Sequence, residues 1–180
     1  LLLLADRSGH QASFTKMSKI LGISVDTVRN YTNYLKQSFL VDEIPRHSES
    51  RSKRIYSAKK FYLNDNGLLF HLQGRLNRGA AAERTLFKFL ERHHKTVSFY
   101  YENGFEVDFV VKDGNSQFLL ESKFTDDFDN KKVLGNLKKA AKDLDIDKAV
   151  LATEDKADVV REEKLTISLV PAWKFVLEKN

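Results

Sequence analysis

The chain contains no cysteine, which excludes disulfides, thiolate metal sites and a thiol nucleophile and points to a reducing, cytoplasmic setting. No G-x-x-x-x-G-K-[ST] pattern occurs, so this stretch has no P-loop and no ATP site of that kind. Its glycines do not cluster into a dinucleotide-binding loop. The histidines at positions 10, 47, 71, 93 and 94 lack zinc spacing, and the adjacent His93 and His94 point apart on a helix. No internal repeat occurs. Long apolar runs are missing too. The opening LLLLADRSGH is too short to span a bilayer and lacks a basic flank. It reads as a helix with a leucine face, and no membrane partner is expected. Because the first residue is Leu, the chain is expected to be a piece of a longer protein.

What is present suits a globular protein: 180 residues, 42% hydrophobic and 31% charged, with 13 Phe. That length allows one domain or two small ones. Residues 1–65 carry 11 Lys and Arg against 6 Asp and Glu, whereas residues 66–180 carry 19 against 19. The net charge of +5 therefore belongs wholly to the first third. A basic segment beside a neutral one points to a polyanion partner, with a solvated surface as the plainer alternative.

The basic third has helix-turn-helix marks. Ser13 is placed to cap a helix whose apolar positions Phe14, Met17, Ile20 and Leu21 recur at helical spacing. Gly22 ends that helix and Ser24 caps the next, which turns Val25, Val28, Tyr31 and Leu35 inward. Its other face offers Thr27, Arg29, Asn30, Asn33 and Lys36, groups suited to base edges and phosphates in a major groove. FLVDEIPR and KRIYSAKKFYLN read as strands of a wing around the loop HSESRS. Arg51, Lys53, Arg54, Lys59 and Lys60 would lie on or near that wing, ready for phosphate contact. A winged helix used for protein contacts is the alternative.

After a short helix over 66–78, a longer one is expected over 79–94, with Glu83, Leu86, Phe87 and Leu90 on one face. A carboxylate on a buried stripe costs several kcal/mol unless neutralised, although an acid in a first turn also serves as a dipole partner. The stretch EVDFVVKDGNSQFLLESKF then reads as a hairpin carrying Asp108, Glu121 and Lys123. If Val111 pairs with Phe118, Asp108 lies opposite Glu121; with a tight Asp113-Gly114 turn it opposes Leu119 instead. Either register puts both acids on one face, because the side-chain period is two. Two neighbouring carboxylates repel unless a cation or proton joins them. Glu83, Asp108 and Glu121 with waters would suit Mg2+ or Mn2+, and Lys123 would orient a water and stabilise charge on a phosphate. A metal-free cluster of Asp108, Glu121 and Lys123 is the competing view. KKVLGNLKKAAKDL is an amphipathic helix, KAVLAT and LTISLV are buried strands, and PAWKFVLE is a closing helix with Pro171 in its first turn. The order is that of an α/β layered domain.

An Asp followed by Glu-x-Lys on the next strand, with an acid on the preceding helix, resembles the restriction-endonuclease-like, PD-(D/E)XK-type fold over about residues 79–153; the matching residues are Asp108, Glu121, Lys123 and Glu83. TVRNYTNYLKQSFLVDEIPR, KKFYLNDNGLL and EVDFVV together resemble the C-terminal region of a prokaryotic, especially archaeal, family of AAA-type P-loop ATPases. The resemblance implies a winged-helix domain over 1–65, a linker helix over 66–78 and a nuclease-like α/β domain over 79–180, an α+β fold class overall. It further implies DNA as partner, an ATPase domain ahead of this stretch, and Mg2+ or Mn2+ held by Glu83, Asp108 and Glu121 for phosphodiester hydrolysis. Two other readings stay open: a non-catalytic regulatory or interaction module of the ATPase, and a purely DNA-binding regulator.

Overall fold

The computed structural model describes residues 1–75, 77–114, 116–125 and 129–178. They form an α+β arrangement in two compact units, Leu1–Arg84 and Thr85–Asn180. Among the described residues no helix is long and apolar enough to cross a membrane.

The first unit runs α1 (Leu2–Asp6), β1 (Gln11–Ala12), α2 (Phe14–Leu21), α3 (Val25–Gln37), β2 (Val41–Pro45), α4 (Arg51–Tyr56), β3 (Lys59–Leu63) and α5 (Asn66–Gln73). The chain then enters α6 (Arg78–His93), and the boundary between the units falls inside that helix. The serine caps form as expected: Ser13 accepts from the Lys16 N–H and Ser24 from the Thr27 N–H, each at 3.1 Å. Gly22 ends α2 with φ at 67°, a conformation in which a side chain would be strained. β3 pairs antiparallel with both β1 and β2, so it is the central strand of a sheet ordered β1-β3-β2. Phe61 and Leu63 of β3 join Leu4, Met17, Val28, Val41 and Leu69 in one apolar core.

Three expectations for this unit change. KRIY is helical rather than a strand, because Ser50 caps α4 by accepting from the Lys53 N–H and offers the backbone a helical start. Lys59 and Lys60 are not on a solvated wing. They begin the central strand and are buried, with the Lys59 ammonium donating to the Arg54 carbonyl and the Lys60 ammonium to Glu83. Burial holds the Lys59 ammonium below its ordinary pKa, against the pull of Glu43. Finally, Ile20, Leu21 and Tyr31 face outward, while Thr32 turns in and spends its hydroxyl on the Val28 carbonyl at 2.8 Å.

The second unit takes up the later part of α6 and continues with β4 (Thr96–Glu102), β5 (Phe105–Asp113), β6 (Ser116–Ser122), α7 (Asn130–Leu144), β7 (Lys148–Thr153), β8 (Asp158–Glu162), β9 (Leu165–Pro171) and α8 (Ala172–Leu177). Its mixed six-stranded sheet is ordered β4-β5-β6-β7-β9-β8, antiparallel through β4, β5 and β6, parallel through β6, β7 and β9, and antiparallel again at β8. α7 lays Val133, Leu137, Ala140 and Ala141 on one face of the sheet, against Val110, Leu119, Ala149, Leu151, Ile167 and Leu169. β8 is an additional edge strand. Its burial is slight, so the alternation that announces a half-buried strand is weak in its sequence.

Candidate metal centre and nucleic-acid interface

The hairpin of β5 and β6 resolves the register. Val111 pairs with Phe118 and Phe109 with Leu120, and the next step down the ladder sets Asp108 beside Glu121. On its other side β5 is irregular at this point: its pairing with β4 shifts register between Ser98 and Tyr100, opposite Asp108 and Phe109. Asp108 and Glu121 are nearly buried, at 8% and 9% exposure. Each is held by the other's strand: the Asp108 N–H donates to Glu121 Oε2 and the Ser122 N–H to Asp108 Oδ2, both at 3.0 Å. Lys123 lies just past β6, where its N–H continues the parallel ladder to the Ala152 carbonyl at 2.7 Å. Its ammonium bends back to donate to Glu121 Oε1 at 2.6 Å and to the Ser122 carbonyl at 3.1 Å. The three charges of the ribbon therefore form one cluster at the C-terminal end of β6.

The electrostatics follow from crowding. Burial pushes the Glu121 carboxyl up to about 8, and the Asp108 carboxylate pushes the same way, while the Lys123 ammonium and the Asp108 N–H pull it down. Two adjacent buried carboxylates repel each other and call for positive charge, of which the Lys123 ammonium supplies part. A hard cation answers that need, and Mg2+ commonly takes only one or two protein carboxylates and fills its shell with water. Asp108 and Glu121 fit it.

Glu83 has other company. Lys60 and Tyr62 are two residues apart, hence on one face of β3, and both reach it: the Tyr62 hydroxyl donates to Glu83 Oε1 at 2.6 Å and the Lys60 ammonium at 3.2 Å. Lys60 is 1% exposed, so Glu83 neutralises a buried cation within the first unit. Its place on the apolar stripe of α6 is explained by that pairing. Among the described residues no three His, Cys, Asp or Glu side chains are grouped to hold a metal ion. The signal for these partners was the Lys-x-Tyr alternation at the start of a fully buried strand.

In the first unit, α3 does not present the predicted groups together. Asn30 and Asn33 are exposed and Thr27 half-exposed. Arg29 and Lys36 lie on its flank instead, Arg29 stacking its guanidinium 5.3 Å from the Phe14 ring centre and Lys36 pairing with Glu43 at 3.2 Å. The outward face carries Asp26, Asn30, Asn33 and Gln37, all exposed, and the flank opposite Arg29 and Lys36 is aromatic, with Tyr31 and Tyr34 edge to face. Exposed cations come from α4, where Arg51, Lys53 and Arg54 all stand in solvent. Reading those residues as a strand hid this, and the Ser50 cap three residues before Lys53 was the available sign.

Residues 1–79 match a family described as a domain of unknown function, DUF8612. No curated protein matches the chain.

Proposed function

We propose that the chain is a DNA-binding region with a metal-dependent phosphodiesterase site. One observation carries the catalytic half: two buried carboxylates, Asp108 within β5 and Glu121 near the end of β6, meet across adjoining strands with the Lys123 ammonium 2.6 Å from Glu121. Asp108 and Glu121 would hold Mg2+ or Mn2+, which when bound supplies a Lewis acid and an activated water. Lys123 would orient that water and balance charge on the phosphate. The DNA-binding half draws support from the order helix, strand, helix, helix, strand, helix, strand with β3 central, which resembles a winged helix with α4 inserted between its last two strands, and from the exposed cations of α4 and asparagines of α3. In this reading the region serves an ATPase domain of the same protein, as the sequence resemblance implies, inside the cell.

A second reading has its own observation. Lys123 and two backbone N–H groups already satisfy much of the acidic pair. The cluster would then be a structural ion network in a non-catalytic DNA- or protein-interaction module.

Calorimetric titration of Mn2+ into the wild type and into Asp108→Ala combined with Glu121→Ala separates the two. Binding that the double substitution abolishes, with Mn2+-dependent cleavage of DNA by the wild type, supports the enzyme. Absence of binding in the wild type, with or without DNA, overturns it and leaves the interaction module.

A further inference from the structure

The second unit has a cavity of about 510 Å³ lined chiefly by the starts of β6, β7 and β9 and by His94, which follows α6. It lies away from the acidic pair. Phe118, which lines it, precedes Glu121 by three residues of one strand, about 10 Å, and points to the opposite face. On that face the strands depart from the usual chemistry. β9 runs between β7 and β8, and a strand so flanked is normally built from β-branched or aromatic residues, threonine among them, so Ser168 is the departure. Here its cavity-facing residues are Thr166 and Ser168.

Register brings these hydroxyls to a cation. Lys148 pairs with Thr166 and Val150 with Ser168, so the Lys148 and Thr166 side chains leave neighbouring strands about 4.8 Å apart, with Ser168 one pleat repeat, about 7 Å, farther on. Ser116 adds another hydroxyl to the lining. On the far side of Thr166, β8 sets Arg161 in register with it. The remaining wall is aromatic: His94 stands edge-on to Phe118 with ring centres 5.5 Å apart. Asp113, the only acid lining the cavity among the described residues, sits 3.8 Å from His94 Nδ1 and is thus directed to the imidazole.

An ammonium with several hydroxyls matches a group whose oxygens are all acceptors and number more than a carboxylate's two. The aromatic side and Val150 match an organic body, and the volume lies in the range of small-molecule sites. We propose that this cavity binds a small organic phosphate monoester. Lys148, Thr166 and Ser168 hold its phosphate, and His94 and Phe118 flank its organic part.

The test is an amide-resolved NMR titration of the full 180-residue chain with AMP, adenosine and inorganic phosphate, in chelator to keep divalent ions away from Asp108 and Glu121. AMP should shift the amides of Val150, Thr166 and Ser168, and bind more tightly than adenosine or inorganic phosphate. Lys148 is exposed, so Lys148→Gln leaves the fold intact, and it should weaken AMP about tenfold, the loss of one charge-assisted contact. Thr166→Val should weaken it as well, whereas Lys131→Gln on α7 should not. Absence of shifts at those amides, adenosine binding as well as AMP, or an affinity unchanged by Lys148→Gln would overturn the assignment.

Discussion

Glu121 makes the stability of the second unit depend on pH in the sense opposite to most carboxylates. Its folded value, about 8, lies above the ordinary 4.5. Between those values the folded chain holds a proton that the unfolded chain has released, so stability is full at low pH and is lost as pH rises toward 8. The slope reaches about 1.4 kcal/mol per pH unit, with a ceiling of roughly 5 kcal/mol across the window. That raised value already contains the pull of the Lys123 ammonium at 2.6 Å, which lowers it. Trp173 is the single tryptophan and belongs to α8 of the second unit, so its emission follows that unit alone. Urea unfolding followed by Trp173 from pH 5 to about 8.5 should show the midpoint falling for the wild type. Glu121→Gln, which carries no ionisable group there, should flatten the profile. If the metal reading also holds, Mn2+ at about a hundredfold over its Kd adds about 2.7 kcal/mol at the alkaline end and flattens the wild-type curve in the same way. Parallel pH profiles for wild type and Glu121→Gln would refute the reasoning, because Glu121 would then titrate alike in folded and unfolded chains.

The first unit offers three further tests. Glu83→Ala removes the carboxylate paired with the Lys60 ammonium, which is 1% exposed, and should cost up to about 3–5 kcal/mol in thermal unfolding; Glu83→Ala with Lys60→Met should recover much of that loss, and an unchanged midpoint in the single variant would deny the pairing. Gly22→Ala meets no atom within 4 Å but keeps φ at 67°, so it should destabilise by about 1 kcal/mol through backbone strain alone, measured by urea unfolding. Neutralising Arg51, Lys53 or Arg54 to Gln should each lower the salt slope of DNA affinity by about one phosphate contact. Arg29→Gln, which removes a stack on Phe14, should leave the slope unchanged and lower stability instead; equal slopes for all four variants would remove α4 from the interface.

How much of this was legible in the sequence depended on which kind of order carried the information. Side-chain alternation in a strand has a period of two, so the sequence alone predicts Asp108 and Glu121 close together under either hairpin register. They do meet, although the shift in register of β5 against β4 at Asp108 and Phe109 was not visible in it. The choice between registers also needed the fold, and the paired Val111 and Phe118 made it. Caps are equally local: Ser13, Gly22 and Ser24 each act within four residues, and α2 and α3 start and stop accordingly. The same local logic at Ser50 outweighed the β-rich look of Ile55 and Tyr56 in α4.

The inward face of a helix is a different kind of quantity. Tyr31 and Thr32 stand about 100° apart on α3, and hydrophobicity favours burying the tyrosine. Thr32 can be buried because its hydroxyl bonds back to Val28, one turn earlier. Rotating the helix to bury Thr32 carries Arg29 and Lys36 to its flank, where Phe14 and Glu43 take them up. Ion pairing is still less local. Lys60 and Glu83 are 23 residues apart in sequence, and what joins them is the position of β3 at the centre of its sheet. A lysine there is forced out of water, and its counter-charge must come from an element packed on that strand. Glu83 therefore cannot be assigned from its own position on α6, where it looks like a stray acid on an apolar stripe. Its role is set by the burial of Lys60, and Lys60 is buried because Phe61 and Leu63, beside it on β3, belong to the core.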